Sequence, residues 1–145
     1  MRYLIDTNII SELRKGSRAN TSVQRWFQSV DAQDLFLSVL TVGEIRKGIE
    51  SVRPMDPRQA EALETWLDRL NTEFLGRVVL VDEAVAVEWG YHCSLRSLPV
   101  VDGLLAATGR VHDLTLVTRN TRDLQGMPVQ LLNPFEQVVS VQEES

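Results

Sequence analysis

Four acidic residues of this chain stand where apolar segments begin or end. Asp6 closes Arg2-Tyr3-Leu4-Ile5, and Glu44 lies just after Leu35-Phe36-Leu37-Ser38. Asp102 opens the apolar segment Val100-Val101-Asp102-Gly103-Leu104-Leu105-Ala106-Ala107, and Asp123 follows Leu114-Thr115-Leu116-Val117-Thr118-Arg119-Asn120. In an open α/β sheet such edges line the crevice where ligands bind. Carboxylates gathered there repel one another unless a cation neutralises them, and an all-oxygen ligand set suits Mg²⁺ or Mn²⁺. Ions so held support metal-assisted hydrolysis, which needs an activated water, neutralised charge and a stabilised leaving group. It needs no serine, cysteine or histidine nucleophile. His92 and His112 stand in unremarkable contexts, and nothing resembles a catalytic triad.

The elements that would position these residues alternate between strand and helix. Residues 2–5, 35–38, 78–81, 114–117 and 129–132 read as short buried strands. Helices are expected over 8–14, from Thr21 to about Val30, from Thr41 to about Val52, from Pro57 to about Leu75, after Asp82, and over 101–111. Thr21 with Gln24 and Thr41 with Glu44 have capping-box spacing, and Asp56-Pro57 places an N-cap before proline at the first helical position. Alternating strands and helices imply an α/β fold with a mostly parallel central sheet of about five strands, covered by helices on both faces. The expected domain is a single one over residues 1–138, with residues 139–145 forming a mobile acidic end.

The 145 residues suffice for one domain with a real core, and 43% of them are hydrophobic. The net charge is −5. An acidic total usually argues against nucleic-acid partners, although it says nothing about local patches. The single cysteine, Cys93, cannot form an intrachain disulfide, which fits a reducing cytoplasm. The first residues reach Asp6 too soon for a signal peptide, and no apolar stretch approaches a membrane span of roughly 20 residues.

Five segments together resemble the PIN-domain ribonucleases, and within them the VapC/FitB-type toxins of toxin–antitoxin pairs. They are Tyr3-Leu4-Ile5-Asp6-Thr7-Asn8-Ile9-Ile10-Ser11-Glu12-Leu13, Ser38-Val39-Leu40-Thr41-Val42-Gly43-Glu44-Ile45, Val101-Asp102-Gly103-Leu104-Leu105-Ala106-Ala107-Thr108, Leu116-Val117-Thr118-Arg119-Asn120-Thr121-Arg122-Asp123 and Leu132-Asn133-Pro134-Phe135. The resemblance implies a PIN-like fold and endoribonuclease activity with Mg²⁺ or Mn²⁺. It also implies a homodimer, a cognate antitoxin that masks the site and carries the pair to operator DNA, and structured RNA such as tRNA as substrate.

On that reading Asp6, Glu44, Asp102 and Asp123 are the catalytic and metal-binding carboxylates. Asn120 competes with Asp123, because some relatives carry Asp at the position of Asn120. Asn8, Thr118 and Asn120 are expected to orient ligands or water from behind the carboxylates. Each has a plainer alternative. Asp6 can be an N-cap, Glu44 the distal member of a capping box, Asp102 an anion at a helix N-terminus, Asp123 the cap of a short helix, and Thr118 and Asn120 turn residues. Arg14, Lys15 and Arg18 near Asp6, Arg46 and Lys47 beside Glu44, and Arg119 and Arg122 beside Asn120 could ring the same cleft, and Arg14, Lys15 and Arg46 are expected to hold the substrate backbone, with solvated helix faces as the alternative. Trp26, Trp66 and Trp89 lie in apolar helical stripes, so packing is expected of them ahead of base stacking. The leucines and Trp66 of the 57–75 helix, with Trp26 and Phe27, either form a partner surface or pack on each other within the chain. Two other functions compete: a non-catalytic PIN-fold binding module, and a haloacid-dehalogenase-type phosphohydrolase. The latter resembles Asp-x-Asp after its first strand, where this chain has Asn8.

Overall fold

The computed structural model describes residues 1–136. Five parallel strands run in the order β3-β2-β1-β4-β5: β1 Tyr3–Ile5, β2 Leu35–Ser38, β3 Val78–Val79, β4 Thr115–Val117 and β5 Leu131–Leu132. Between them run helices α1 Thr7–Leu13, α2 Thr21–Ser29, α3 Val39–Val52, α4 Pro57–Glu73, α5 Glu83–Leu95, α6 Val100–His112 and α7 Thr121–Leu124. The strands are short and apolar on both sides, as buried parallel strands are. Register carries the two-residue period across the sheet: Leu4 lies level with Phe36 and Leu116, and Ile5 with Val117. Ile5, Leu35, Leu37 and Val117 join one core with residues of α1 to α4, while Leu4 and Leu116 join a second with α6 and Leu124 of α7. The edge strands β3 and β5 are shorter than the expected 78–81 and 129–132. Each has a neighbour on one side only, and Leu80 beyond β3 is 65% exposed.

Helix starts follow Asp and Ser caps. Asp6 accepts from the Thr7 N–H, Ser38 from Leu40, Asp56 from Gln59 and Asp82 from Val85. Two expected capping boxes are absent. Asn20, not Thr21, caps α2, and Gln24 instead donates to the Gly16 and Ala19 carbonyls. Ser38 starts α3 directly from the end of β2, so Thr41 is buried inside the helix and Glu44 is released from any capping role. The α4 stripe goes mostly into the core. Ala60, Leu67 and Leu70 are buried there, and Leu63 and Trp66 pack against it. The apolar surplus lies on α5, where Val87, Tyr91 and Leu95 are at least half exposed. No helix among the described residues is long and apolar enough to cross a membrane. The expected acidic end at 139–145 lies outside the described residues.

Candidate active site

Asp6 is set by the centre of the sheet. Its N–H extends the β1–β4 ladder by one bond, donating to the Val117 carbonyl at 2.9 Å. One carboxylate oxygen accepts from the Thr7 N–H at 2.7 Å and the other from the Thr118 hydroxyl at 2.8 Å. The residue is therefore both a helix cap and a cleft carboxylate, though only 6% of it is exposed. Burial pushes its pKa up and the charges of Glu44 and Asp102 add to the rise, against the opposing hydrogen bonds from Thr118 and Thr7.

Glu44 faces the same cleft from the second turn of α3, where its Oε1 accepts from the Thr7 hydroxyl at 2.6 Å. Thr7 thus orients two carboxylates, one through its backbone and one through its side chain. Asp102 enters from the first turn of α6. Its pKa is also raised, first by burial and then by the charges of Glu44 and Asp123. Asn120 comes from the chain after β4, and Thr118 holds that chain by accepting from the Asn120 N–H at 3.1 Å. Asn8 accepts from the Arg119 N–H at 3.2 Å.

These residues line one cleft of about 470 Å³: Asp6, Thr7, Asn8, Glu44, Asp102 and Asn120, with Lys47, Gly48 and Ser51 completing the α3 wall. Asp123 lies in α7 and lines the adjoining pocket, its carbonyl accepting from the Arg96 guanidinium. Its charge still reaches Asp102. The acidic partners in the ion pairs among the described residues are Glu12, Glu50, Glu64 and Glu88, so Asp6, Glu44 and Asp102 make no ion pair. Their donor chemistry, anionic oxygen throughout, fits a hard divalent cation. The side chains do not yet converge on a single point. Among the described residues no three Asp, Glu, His or Cys side chains stand close enough to ligate one ion.

The expected basic rim is dispersed. The Arg14 guanidinium lies 5.7 Å from the Trp66 ring centre in an apolar groove lined also by Phe27 and Phe74. Lys15 pairs with Glu12 at 2.9 Å, and Arg46 pairs with Glu50 and Glu64 at 3.1 and 2.8 Å. None of the three lines the acidic cleft; Lys47 does. The tryptophans pack. Trp26 meets Tyr3 edge-on at 5.4 Å, Trp66 lines the apolar groove, and Trp89 lies against Gly103. Lys47, expected with Arg46 beside Glu44, does reach the cleft, whereas Thr7 and Ser51 were not among the expected site residues. Lys47 and Ser51 follow Glu44 by three and seven residues, a helical spacing that was available as a signal. Thr7 carried none, since threonine in a first helical turn is ordinary.

The family model for the PIN domain matches residues 3–127. Toxin FitB of Neisseria gonorrhoeae is 31% identical over 138 residues, covering 91% of this chain and 97% of that protein. VapC ribonuclease Y4jK of Sinorhizobium fredii is 29% identical, covering 92% and 97%. The crystal structure of FitAcB from Neisseria gonorrhoeae superposes with a TM-score of 0.84 at 30% identity, covering 93% of this chain and 99% of the matched one. The strand order, the carboxylates at the carboxyl end of β1, in the second turn of α3 and at the start of α6, and these matches agree: the chain belongs to the PIN-domain family, among its FitB- and VapC-type toxins.

Proposed function

We propose that this chain is a divalent-metal-dependent endoribonuclease and the toxin of a toxin–antitoxin pair. The observation that carries the reading is that Asp6, Glu44 and Asp102 line one cleft and none of them is in an ion pair. Mg²⁺ or Mn²⁺ held there by Asp6, Glu44 and Asp102 would supply an activated water and charge neutralisation at the scissile phosphate. Asn120 adds a neutral oxygen to the wall of the cleft, and Asp123 contributes negative charge from the adjoining pocket. The rest is positioning by the chain's own residues. Thr118 and the Thr7 N–H fix both oxygens of Asp6, and the Thr7 hydroxyl fixes Glu44. Lys47, on the same wall as Glu44, is placed to meet a phosphate oxygen of the RNA. A structured RNA such as tRNA is the proposed substrate class.

The name of the FitB relative as a toxin supports a cognate antitoxin as partner, with operator DNA reached only through that antitoxin. The exposed face of α5 supports a homodimer. A cytoplasmic setting is consistent with the lone exposed thiol of Cys93.

The test is RNA cleavage in Mn²⁺ by Asp6→Asn and Asp102→Asn. Each should lose cleavage by at least about 100-fold, the scale of losing a group that stabilises transition-state charge, while far-UV circular dichroism stays unchanged. Wild-type rates in both folded variants overturn the assignment. A thermal midpoint that Mn²⁺ fails to raise in the parent protein overturns metal binding separately.

A further inference from the structure

Beside the acidic cleft lies a second pocket of about 480 Å³, lined by Arg119 and Arg122, by Asn133, Phe135 and the same Asn120 that lines the cleft, and by the acidic Asp123 and Glu136. Arg119 is held there from three sides. Its N–H donates to Asn8 at 3.2 Å, its carbonyl accepts from the Asn133 side chain at 3.3 Å, and its guanidinium lies over the Phe135 ring, 4.2 Å from the ring centre. Asn133 fixes the ring as well, its side-chain oxygen accepting from the Phe135 N–H at 2.9 Å. Arg46 on α3, by contrast, is committed to two glutamates. A guanidinium fixed in advance loses less entropy on binding and offers a planar fork that suits phosphate.

We propose that this pocket is an RNA subsite, in which Arg119, supported by Phe135 and Asn133, binds a backbone phosphate next to the scissile one, with Arg122 at its edge. The inference deepens the nuclease reading and rests on it for the position of the scissile phosphate. The shared Asn120 makes the two pockets neighbours, so a strand lying across the carboxylates would have the second pocket next along its backbone. Asn8 joins them mechanically: it sits two residues after Asp6 and holds the Arg119 backbone. An acidic peptide is the competing ligand. The position beside a cleft suited to a phosphodiester favours the nucleic acid.

The experiment uses the full chain carrying Asp102→Asn, so that RNA is not consumed. A labelled single-stranded RNA and bulk tRNA are titrated by fluorescence anisotropy over a series of salt concentrations. Adding Arg119→Ala should raise Kd about tenfold, the loss of one charge-assisted contact, and make the log–log salt slope shallower by about one unit. Arg119→Lys should keep the slope and recover only part of the affinity. Phe135→Leu should weaken binding with the slope unchanged, and Arg46→Ala should change neither. Arg119→Ala binding within twofold of its parent at an equal slope overturns the subsite. So does an equal loss in Arg46→Ala, which would mark diffuse attraction, and so does an Arg119→Ala defect confined to binding of an acidic protein partner. Failure of the two readings is distinguishable. A parent protein that does not cut RNA but shows the Arg119 effect loses the nuclease and keeps the subsite, whereas one that cuts RNA without the Arg119 effect does the reverse.

Discussion

Asp6 carries opposing demands, and its surroundings show how they are met. The carboxylate is buried and sits among like charges, both of which favour its protonated form. The hydrogen bonds from Thr7 and Thr118 favour the ionised one. A carboxyl whose pKa is raised by folding holds its proton more tightly folded than unfolded, so ionising it destabilises the fold. Asp6 and Asp102 both have this sign. The metal-free protein should therefore lose stability as pH rises from about 4 to about 7, past the ordinary carboxylate range. Glu50, held down to about 2 by Arg53 and Arg46, has the opposite sign. It acts below its ordinary value of 4.5 and is fully exposed, so it should not mask the trend. Urea midpoints across this pH series should fall, and the fall should be smaller in Asp6→Asn. A midpoint that climbs over the window in the parent protein would contradict the assignment. Mn²⁺ should reverse the slope, because it binds the deprotonated carboxylates. At this scale much of the cleft was legible. Asp6 and Asp102 interrupt apolar runs where a buried charge needs a reason. The basic rim was not, because Glu64 lies 18 residues from Arg46 and only the α3–α4 pairing brings them together.

Among the elements, strand ends determined where the cleft would open. Ser38 rather than Thr41 begins α3, and that shift of three residues turns Glu44 from a helix cap into a cleft residue. Spacing alone could not decide between them, since both patterns satisfy capping rules. The short edge strands were overestimated for a similar reason: apolar residues continue past the point where a pairing neighbour ends. The junction of α6 and β4 depends on a contact that sequence does not reveal. A Cβ at Gly109 would lie 2.8 Å from the Val129 side chain and 2.9 Å from the Leu114 carbonyl oxygen. The second of these is backbone and cannot rotate away, and the Gly109 carbonyl itself accepts the Asp113 and Leu114 N–H groups in the turn into β4. Gly109→Ala should cost about 1–3 kcal/mol by overpacking, read as a lower urea midpoint at unchanged m-value. A loss below about 0.5 kcal/mol, the scale of an ordinary surface change, would mean that the junction yields.

For the whole molecule, the informative surface is α5. The helix carries apolar residues on more than one face, so one face can pack on α6 while Val87, Tyr91 and Leu95, four residues apart, remain exposed with Leu80 and Val100. The sequence showed which helices are apolar. It did not show which are covered on both sides, and for that reason the surplus was expected on α4. An exposed stripe of this kind is costly in a monomer and characteristic of an interface. The isolated protein should sediment at twice its monomer mass of 16.4 kDa. Val87→Glu with Leu95→Glu should return it to the monomer mass without loss of helical signal. A parent protein that is monomeric at micromolar concentration would remove α5 as the interface.

The strand order has one more consequence, which concerns synthesis. β1 is made first and occupies the middle of the sheet, yet its neighbour β4 begins at Thr115. The bond that fixes Asp6, from Thr118, spans 112 residues. At the usual pace of about 5–20 residues per second, the ribosome leaves one edge of β1 open for several seconds, an invitation to wrong pairing. Over the same interval the cleft lacks Thr118 and Asn120. A chain still being translated therefore lacks, until β4 has been added, the residue that fixes the second oxygen of Asp6 and the one that completes the cleft wall.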